Sequence, residues 1–298
     1  MEFYAGIQSY RNSGRAAVAL GKFNGVHRGH QKLIDKLNEY QSQEVKRIMF
    51  AFDMEQKMLL TEHERQERIA PYVDEFILCP FSDELRQMSA HDFVVDILIK
   101  QLNISHVVVG EDFRFGYQAH GDAKFMQHLG QTHNFHVDVI AKEMYHQREI
   151  SSTYIRERLD AGDIVTANDM LGYEYSITGK IEYGQKLGRK LGFPTINVAP
   201  PTEKIIPRFG VYTCIVKRDG RDYPGVCGFG TKPTIEGIEP RPLAEVYLFD
   251  VNEEWYGESV TIFLHQFIRG EEKFDSIEVL KNQVDDDIKQ AKNLMGLS

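Results

Sequence analysis

Residues 15–30, RAAVALGKFNGVHRGH, decide the fold of the first half of the chain. The apolar run Arg15–Phe23 predicts a buried strand, and Arg28–Ser42 repeats apolar residues at the spacing of one helical face. The glycines between them let the backbone approach a ligand closely, and a helix N-terminus at this point supplies free N–H groups. The stretch therefore predicts a strand, a phosphate-binding turn and a helix in succession.

Four further apolar runs in the first half predict strands, and helical patterns lie between most of them. One of these helices is Ser89–Leu102, with Ser89 and Asp92 as a capping box. Strands that alternate with helices predict an α/β domain with a parallel sheet, whose ligands bind beyond the carboxyl ends of the strands. The four runs are Val45–Phe52, Phe76–Cys79, His106–Gly110 and His136–Ile140.

The second half of the chain has a different texture, with short β-rich runs separated by Gly, Pro and Asp-Gly turns. This pattern predicts a small antiparallel β-barrel, followed by a terminal helix with Asp275 as its N-cap that runs to about Met295. The change near Thr166–Gly172 predicts two domains, 1–168 and 169–298. The predicted barrel strands are Tyr175–Glu182, Val211–Lys217, Tyr223–Phe229, Leu243–Asp250 and Ser259–Phe267.

Composition narrows the class of protein. The 298 residues favour two domains, and the net charge of -9 argues against a nucleic-acid partner, which needs a basic face. The polar segment Met1–Arg15 lacks the apolar core of a signal peptide, and no apolar run has the length of a membrane helix. Cys79, Cys214 and Cys227 are scattered singly, which predicts reduced core thiols. We expect a cytoplasmic protein that acts on small molecules, without nucleic-acid or membrane partners.

The loop Gly21–His30 carries the first candidate active site. His27 and His30 are three residues apart and can both face a bound phosphate. The alternative is a glycine-rich turn with two solvated histidines. The stretch resembles the HxGH signature of nucleotidyltransferases, in the GxFDGxHxGH form of bacterial FAD synthetases. The resemblance implies nucleotide contacts from Gly21, Phe23, Asn24 and Gly25.

Two more segments resemble the same family. Gly110–Gly116 is similar to its DFRFG loop, which contacts flavin, although such phenylalanines are more often core residues. Ile150–Arg156 is similar to its ISSTxIR motif, which holds ATP phosphates; the alternative is an ordinary helix cap with a surface arginine. The resemblance implies flavin contacts from Asp112, Phe113 and Phe115, and phosphate contacts from Ser152, Thr153 and Arg156.

Two departures from the family pattern fall at this nucleotide end. The family has an aspartate where this chain has Asn24. If that carboxylate works through its charge, adenylyl transfer is weakened; if it works as a hydrogen-bond acceptor, asparagine suffices. The family also carries an FxPHP-like segment, which Phe52–Lys57 replaces here.

The second candidate active site begins with the glycine-rich segment Gly184–Asn197. It resembles the riboflavin kinase signature GxxxGRxxGFPTAN, with Ile196 in place of alanine. Read without its glycines, the segment is a turn that enters a strand. The resemblance implies that Thr195 and Asn197 present oxygens to Mg²⁺, the hard ligands that this ion prefers. It also implies nucleotide contacts from Gly184, Gly188, Gly192 and Pro194.

Three later segments complete this site. Gly225–Thr234 resembles the family's GVxNxGxxPT stretch, with Gly228 in place of asparagine. Glu245 lies in an otherwise apolar strand and matches the family's catalytic base, although a glutamate on an alternating strand ordinarily faces solvent. Phe267–Phe274 resembles the segment that closes over the flavin, where Arg269 pairs with a phosphate or with Glu271, or else forms a surface ion pair.

Together the motifs resemble the bacterial bifunctional riboflavin kinase/FAD synthetase family. The resemblance implies a Rossmann-like nucleotidyltransferase domain followed by a kinase barrel, with ATP as co-substrate, Mg²⁺ as cofactor, and riboflavin, FMN and FAD as substrates and products. Three alternatives stay open. They are a kinase with an inactive first domain, a flavin-binding regulator without turnover, and a nucleotidyltransferase that acts on a non-flavin substrate.

Overall fold

A computed structural model describes residues 1–297 except 9, 13, 54–56, 185–187, 189–190, 233–240 and 252–254. Parts of three predicted motifs therefore lie outside the described residues: 54–56 after the third strand, five residues of the glycine-rich segment, and the Pro-Thr pair at 233–234. The chain divides into two compact units, Met1–Ser152 and Thr153–Ser298. The division falls earlier in the chain than residue 168, and the boundary of the functional domains stays a prediction.

The first unit is built on a six-stranded parallel sheet, as the alternation of strands and helices predicts. Its sheet order is β1-β4-β3-β2-β5-β8. Two short two-stranded sheets, β6-β7 and β9-β10, lie beside it. The strands are β1 (Glu2–Ala5), β2 (Ala16–Gly21), β3 (Lys46–Asp53), β4 (Glu75–Pro80), β5 (Ile104–Gly110), β6 (Arg114–Phe115), β7 (Gly121–Asp122), β8 (His136–Ile140), β9 (Met144–Tyr145) and β10 (Arg148–Glu149).

The helices of the first unit connect these strands. The helix after β2 buries Leu33, Ile34 and Leu37, the face that the sequence predicts, but it ends at Asn38. The segment predicted as Ser89–Leu102 has two parts, because a short α-helix continues as the π-helix Phe93–Gln101. The α-helices are α1 (Arg28–Asn38), α2 (Glu62–Ile69), α3 (Asp83–Gln87), α4 (Ala90–Asp92) and α5 (Ala123–His133).

The second unit is a closed six-stranded antiparallel barrel, which confirms the predicted fold class. Its strand order is β11-β12-β15-β14-β13-β16. Two helices precede the barrel, α6 (Ser152–Ala161) and α7 (Ile164–Leu171), and α8 (Ile277–Leu294) follows it. The strands are β11 (Ser176–Glu182), β12 (Thr195–Val198), β13 (Gly210–Arg218), β14 (Arg221–Lys232), β15 (Arg241–Leu248) and β16 (Ser259–Gly270).

The N-cap of the terminal helix differs from the prediction. Ser276, rather than Asp275, precedes the first helical residue, and its hydroxyl accepts a hydrogen bond from the backbone N–H of Val279 at 3.2 Å. A serine in extended conformation satisfies a free N–H of the first turn as an aspartate would. The prediction was therefore wrong by one residue.

The three cysteines are free and buried, as the sequence predicts. Burial raises the pKa of the Cys79 thiol to about 11 and raises the pKa of Cys214 and Cys227 as well. These thiols therefore stay protonated near neutral pH and behave as core residues. Within the described part of the chain, no helix combines the length and the hydropathy that a membrane crossing requires.

Candidate active sites

The loop after β2 holds a strained backbone at the carboxyl end of the parallel sheet. Phe23 and Val26 have positive φ angles of 47° and 40°, a region that bulky and β-branched side chains rarely occupy. Both side chains are buried, so the surrounding core stabilises the conformation. Strain of this kind is found at ligand-binding turns, and it is consistent with the phosphate-binding role that the sequence predicts.

The two histidines of this loop form a stacked pair, in which His27 is buried and His30 half-buried. Their ring centroids are 3.8 Å apart, and His27 is the N-cap residue of α1. Burial lowers the pKa of His27 to about 4 and lowers that of His30 well below its ordinary value. Among the described residues, neither Nδ1 atom has a hydrogen-bond partner although both are buried. Solvated histidines are therefore the wrong interpretation.

The chemistry of this pair suits an anion. The first turn of α1 contains no acidic residue, and the nearby carboxylate of Glu143 pairs with the side chains of Arg28 and Lys32, so the helix N-terminus keeps a partial positive charge that favours an anion. Two neutral imidazoles can each present an N–H to a phosphate oxygen beside that helix N-terminus. The loop can therefore bind the phosphates of a nucleotide.

Asn24, which stands where the family has aspartate, makes two hydrogen bonds. Its side-chain oxygen accepts a hydrogen bond from the backbone N–H of Leu59 at 2.7 Å, and its backbone carbonyl accepts one from Leu60 at 3.3 Å. The side chain thus works as a hydrogen-bond acceptor. It holds the loop after β2, which we call the nucleotide loop, against the segment before α2. An amide oxygen and a carboxylate oxygen both fill this role.

A cavity of about 390 Å³ with four phenylalanines on its wall, the aromatic cavity, lies in the same unit. Of the three residues predicted to contact flavin, Phe115 lines this cavity, and Asp112 and Phe113 are not among its lining residues. Phe113 stacks on Phe115 with a centroid distance of 5.4 Å, and Asp112 pairs with Lys142 at 3.1 Å. The cavity is lined by Lys22, Phe52, Phe81, Leu85, Arg86, Phe93, Arg114, Phe115, Gly116, Gln118 and Ala119.

The ISSTxIR-like segment crosses the boundary between the two units. Within the first unit, the carbonyl of Ile150 lies 3.8 Å from the point where a Cβ atom on Gly29 would stand, so this segment passes the N-terminal turn of α1. Ser152 is the last residue of that unit and the first of α6. Thr153 and Arg156 lie in α6 in the second unit, and their contacts with the nucleotide stay predictions.

A second cavity, of about 250 Å³, is lined by residues of the barrel strands and of α8. Most of its wall is apolar, and its polar residues include those that the sequence singled out: Thr195, Asn197, Glu245 and Arg269. Cavities with apolar walls and a few convergent polar groups are typical of ligand sites. It is lined by Gly188, Leu191, Phe193, Thr195, Asn197, Val211, Val226, Gly228, Glu245, Tyr247, Arg269, Leu280, Val284, Asp287 and Ile288.

The strand register brings the predicted base and the predicted metal ligands together. Thr195 and Asn197 are two residues apart on β12 and share one face, and Asn197 stands directly opposite Glu245 on β15. Opposed residues of antiparallel strands have Cβ atoms about 5 Å apart. Glu245 therefore lies, half-buried, on the wall of this cavity, and its role as the base stays a prediction.

Two glycines of the signature segment stand where another residue would not fit: Gly184 packs closely on a side chain, and Gly192 has a positive φ angle. A Cβ atom on Gly184 would collide with the side-chain amide of Asn197. Gly192 has a φ of 94°, which L side chains rarely adopt. Gly188 and Leu191 line the cavity, whereas Pro194 is exposed and does not line it.

Arg269 has a partner that the sequence did not reveal. Its guanidinium donates two hydrogen bonds to the carboxylate of Asp287 on α8, at 2.8 and 2.7 Å. Neither Glu271 nor solvent takes this place, and the pair raises the pKa of Arg269. Asp287 is 18 residues away on another element, so only the folded chain brings the two together. The predicted pairing with Glu271 was wrong.

Gly228 opens one wall of the barrel cavity. It stands opposite Glu245 on the neighbouring strand. A Cβ atom added there would meet only the carbonyl oxygen of Glu245, at 3.8 Å. The absence of the family's asparagine therefore leaves space beside the predicted base.

The donor set of the barrel cavity suits magnesium. Thr195 offers a hydroxyl oxygen and Asn197 an amide oxygen, which are hard ligands. In the part of the chain that the structure describes, no group of three or more His, Cys, Asp or Glu side chains could enclose a metal. A magnesium ion that shares phosphate oxygens of a bound nucleotide needs no such enclosure.

The fold and the two cavities define a class of two-part enzyme, in which an α/β nucleotide-binding unit precedes a flavokinase-type barrel. Residues 9–154 match the family model described as FAD synthetase, and residues 171–295 match that of riboflavin kinase. The bifunctional riboflavin kinase/FMN adenylyltransferase of Pseudomonas fluorescens is 34% identical over 99% of this chain and 98% of its own length. The enzyme of the same name from Bacillus subtilis is 33% identical over 93% of this chain and 92% of its own length. The chain belongs to the bifunctional riboflavin kinase/FMN adenylyltransferase family.

One solved structure has the same fold over nearly the whole chain. It is that of a Streptococcus pneumoniae protein named as a macrolide-efflux protein, with a TM-score of 0.88 and 25% identity, covering 98% of this chain and 99% of that one. That name concerns the Streptococcus protein alone. What the likeness adds is that both units occur together in one solved chain.

Proposed function

We propose that the chain phosphorylates riboflavin to FMN in the barrel and adenylylates FMN to FAD in the first unit, with ATP as co-substrate of both reactions. One observation carries the proposal: the register that sets Glu245 opposite Asn197, beside Thr195, in a mostly apolar cavity. Family membership over both units supports the second activity. Riboflavin, FMN and ATP are the small-molecule partners, and we place the protein in the cytoplasm because ATP is produced there.

The kinase reaction uses Glu245 as general base. Its carboxylate accepts the proton of the riboflavin 5′-hydroxyl while that oxygen bonds to the γ-phosphorus of ATP and the bond from phosphorus to ADP breaks. Thr195 and Asn197 would hold Mg²⁺, which supplies neutralisation of the charge on the triphosphate. The glycine-rich segment brings backbone N–H groups close to the phosphates.

The adenylyl transfer uses the loop after β2. An oxygen of the FMN phosphate bonds to the α-phosphorus of ATP, and pyrophosphate leaves. His27 and His30 are neutral in the free protein, so they stabilise the developing charge by donating N–H hydrogen bonds. Ser152 adds a phosphate contact, and the aromatic cavity lined by Phe115 holds the flavin ring.

Three observations weigh against the alternatives. A kinase with an inactive first domain does not require two imidazoles whose Nδ1 atoms are buried without a hydrogen-bond partner among the described residues. A regulator without turnover does not require a carboxylate opposite the metal ligands. A non-flavin nucleotidyltransferase does not require the kinase barrel at all.

The experiment supplies FMN, ATP and Mg²⁺ to the purified protein and quantifies FAD by chromatography. We expect FAD and pyrophosphate in equal amounts, and loss of both in His27→Ala. FAD synthesis that is unaltered in His27→Ala would remove the histidine loop from the reaction. A protein that makes FMN from riboflavin but no FAD from FMN would instead establish the kinase-only alternative.

A further inference from the structure

The aromatic cavity of the first unit has a positively charged edge. Lys22, Arg86 and Arg114 line it, and we call these three residues the cationic rim. They come from three separate segments, the nucleotide loop, α3 and β6, which the fold brings to one opening. All three are exposed, in a protein whose net charge is -9. Three cations around one cavity in an acidic protein indicate an anionic ligand group.

The charges of the rim are available to a ligand. Arg86 lies 5.5 Å from the centre of the Phe81 ring, and its carboxylate partner among the described residues is Asp83, at 3.5 Å between two exposed side chains. Such a pair is weak and readily exchanged. Arg114 donates one hydrogen bond to the carbonyl of Phe113 at 2.9 Å, and a guanidinium has five N–H donors.

The two flavins that this family handles differ in one anionic group. Riboflavin is uncharged, whereas the phosphate monoester of FMN carries a charge between about -1.5 and -2 at pH 7. The aromatic wall of the cavity stacks equally well on both flavins, because their ring systems are identical. Only a group that senses the phosphate can separate them, and Arg86 and Arg114 offer the planar donors that suit it.

We infer that the cationic rim binds the phosphate of FMN and thereby selects FMN over riboflavin for adenylyl transfer, with Arg86 as a specificity-determining residue. The inference rests on the proposed adenylyl transfer. Lys22 supports it by position, since it stands between Gly21 and Phe23 in the nucleotide loop. A phosphate held at Lys22 is beside the loop that binds the phosphates of ATP, where the new bond must form.

Arg86 permits the cleanest test because it belongs to α3 and not to the nucleotide loop itself. The test measures FAD synthesis at saturating ATP in the full-length protein, in Arg86→Glu, in Arg86→Lys and in Lys100→Glu. Lys100 is an exposed cation shortly before β5, near the amino ends of the strands, and makes a matched control for the change in charge. Circular dichroism reports whether each variant is folded.

We expect Arg86→Glu to raise KM for FMN about tenfold or more, since charge-assisted hydrogen bonds of this kind are worth factors of about 10 to 100. Arg86→Lys should lose less affinity than Arg86→Glu, because it keeps the charge but not the planar donors, and Lys100→Glu should match the parent. A flavin that lacks the 5′-hydroxyl, and so escapes the kinase, should inhibit FAD synthesis with the same Ki in the parent and in Arg86→Glu.

A second measurement needs no variant. In the parent protein, KM for FMN should rise as NaCl is increased, whereas Ki for the uncharged flavin should stay constant. An unchanged KM for FMN in folded Arg86→Glu, or a KM that does not respond to salt, would overturn the inference while FAD synthesis itself persists. Absence of FAD synthesis in the parent would instead overturn the proposed function, so the two failures are distinguishable.

Discussion

At the scale of single residues, Glu245 carries the strongest prediction. Its carboxylate faces the cavity from β15 opposite Asn197, which is where a base must stand to reach a substrate hydroxyl near the metal ligands. Glu245→Gln removes the base and keeps the shape, so we expect riboflavin phosphorylation to fall by about 10² to 10⁴. ATP binding, measured by calorimetry, should persist. Near-normal turnover in this variant would exclude Glu245 as the base.

The histidine pair predicts an unusual titration. Because burial lowers the pKa of His27 to about 4, its imidazole should stay neutral at every pH above about 5 in the ATP-free protein. An NMR titration of labelled histidine, assigned with His27→Gln, measures this directly. A midpoint near the ordinary value of 6.5 would show that the ring is solvated and would contradict the buried pair.

The lowered pKa of His27 also determines how the free energy of unfolding changes with pH. Below pH 6.5 the unfolded chain protonates this histidine, while the folded chain does not until about pH 4. The free energy of unfolding should therefore decrease as pH falls from about 6.5 to 4, with a contribution of up to about 1.4 kcal/mol per pH unit. His27→Gln should remove that contribution. Urea unfolding of the two proteins at pH 5 and pH 7 makes the comparison.

Two variants at Asn24 distinguish the effect of side-chain charge from the effect of hydrogen bonding on the nucleotide loop. Asn24→Asp keeps the oxygen that accepts from Leu59, so FAD synthesis should be retained. Asn24→Ala leaves that N–H without its partner and should destabilise the loop by about 1 to 3 kcal/mol. The readouts are FAD formation and the melting temperature. Equal activity in the two variants would contradict a positioning role for the side-chain oxygen.

At the scale of elements, the sequence predicted the helices and strands that one continuous stretch encodes. It did not predict those that depend on pairing with a distant part of the chain. One continuous stretch encodes the strand, turn and helix at 16–38, because the apolar run of the strand, the glycines of the turn and the apolar spacing of the helix all lie within it. β12 was not predicted as a strand, since four residues after a glycine-rich turn carry no period of their own. β1 was not predicted either, because it pairs with β4, which lies 73 residues further along the chain.

The contact between β16 and α8 belongs to this scale as well. Arg269 and Asp287 join the two elements beside the barrel cavity, and Asp287 is buried. Asp287→Asn leaves the guanidinium without its carboxylate, which should cost about 2 kcal/mol or more and raise KM for riboflavin. Asp286→Asn is the matched control, because Asp286 is exposed on the same helix. Equal melting temperatures of the two variants would contradict the account.

At the scale of the whole molecule, the motifs named residues that the fold brings together, but not every residue beside them. Thr195 and Asn197 came from the glycine-rich signature and Glu245 from a later segment, and the register of β12 with β15 brings the three together. Asp287, Lys22 and Arg86 escaped notice because nothing in the neighbouring sequence marks an ion pair or a cavity wall that forms across separate elements. Asp112 and Phe113 belong to the same loop as Phe115, but they are not among the residues that line the cavity.

The most direct measurement supplies riboflavin, ATP and Mg²⁺ to the full-length protein and follows FMN and FAD separately by chromatography. We predict that FMN forms first and that FAD follows as FMN accumulates. In Glu245→Gln, neither should form from riboflavin, while FAD should still form when FMN is supplied. If the parent protein consumed no ATP in the presence of riboflavin and Mg²⁺, the assignment of the barrel cavity as a kinase site would be contradicted.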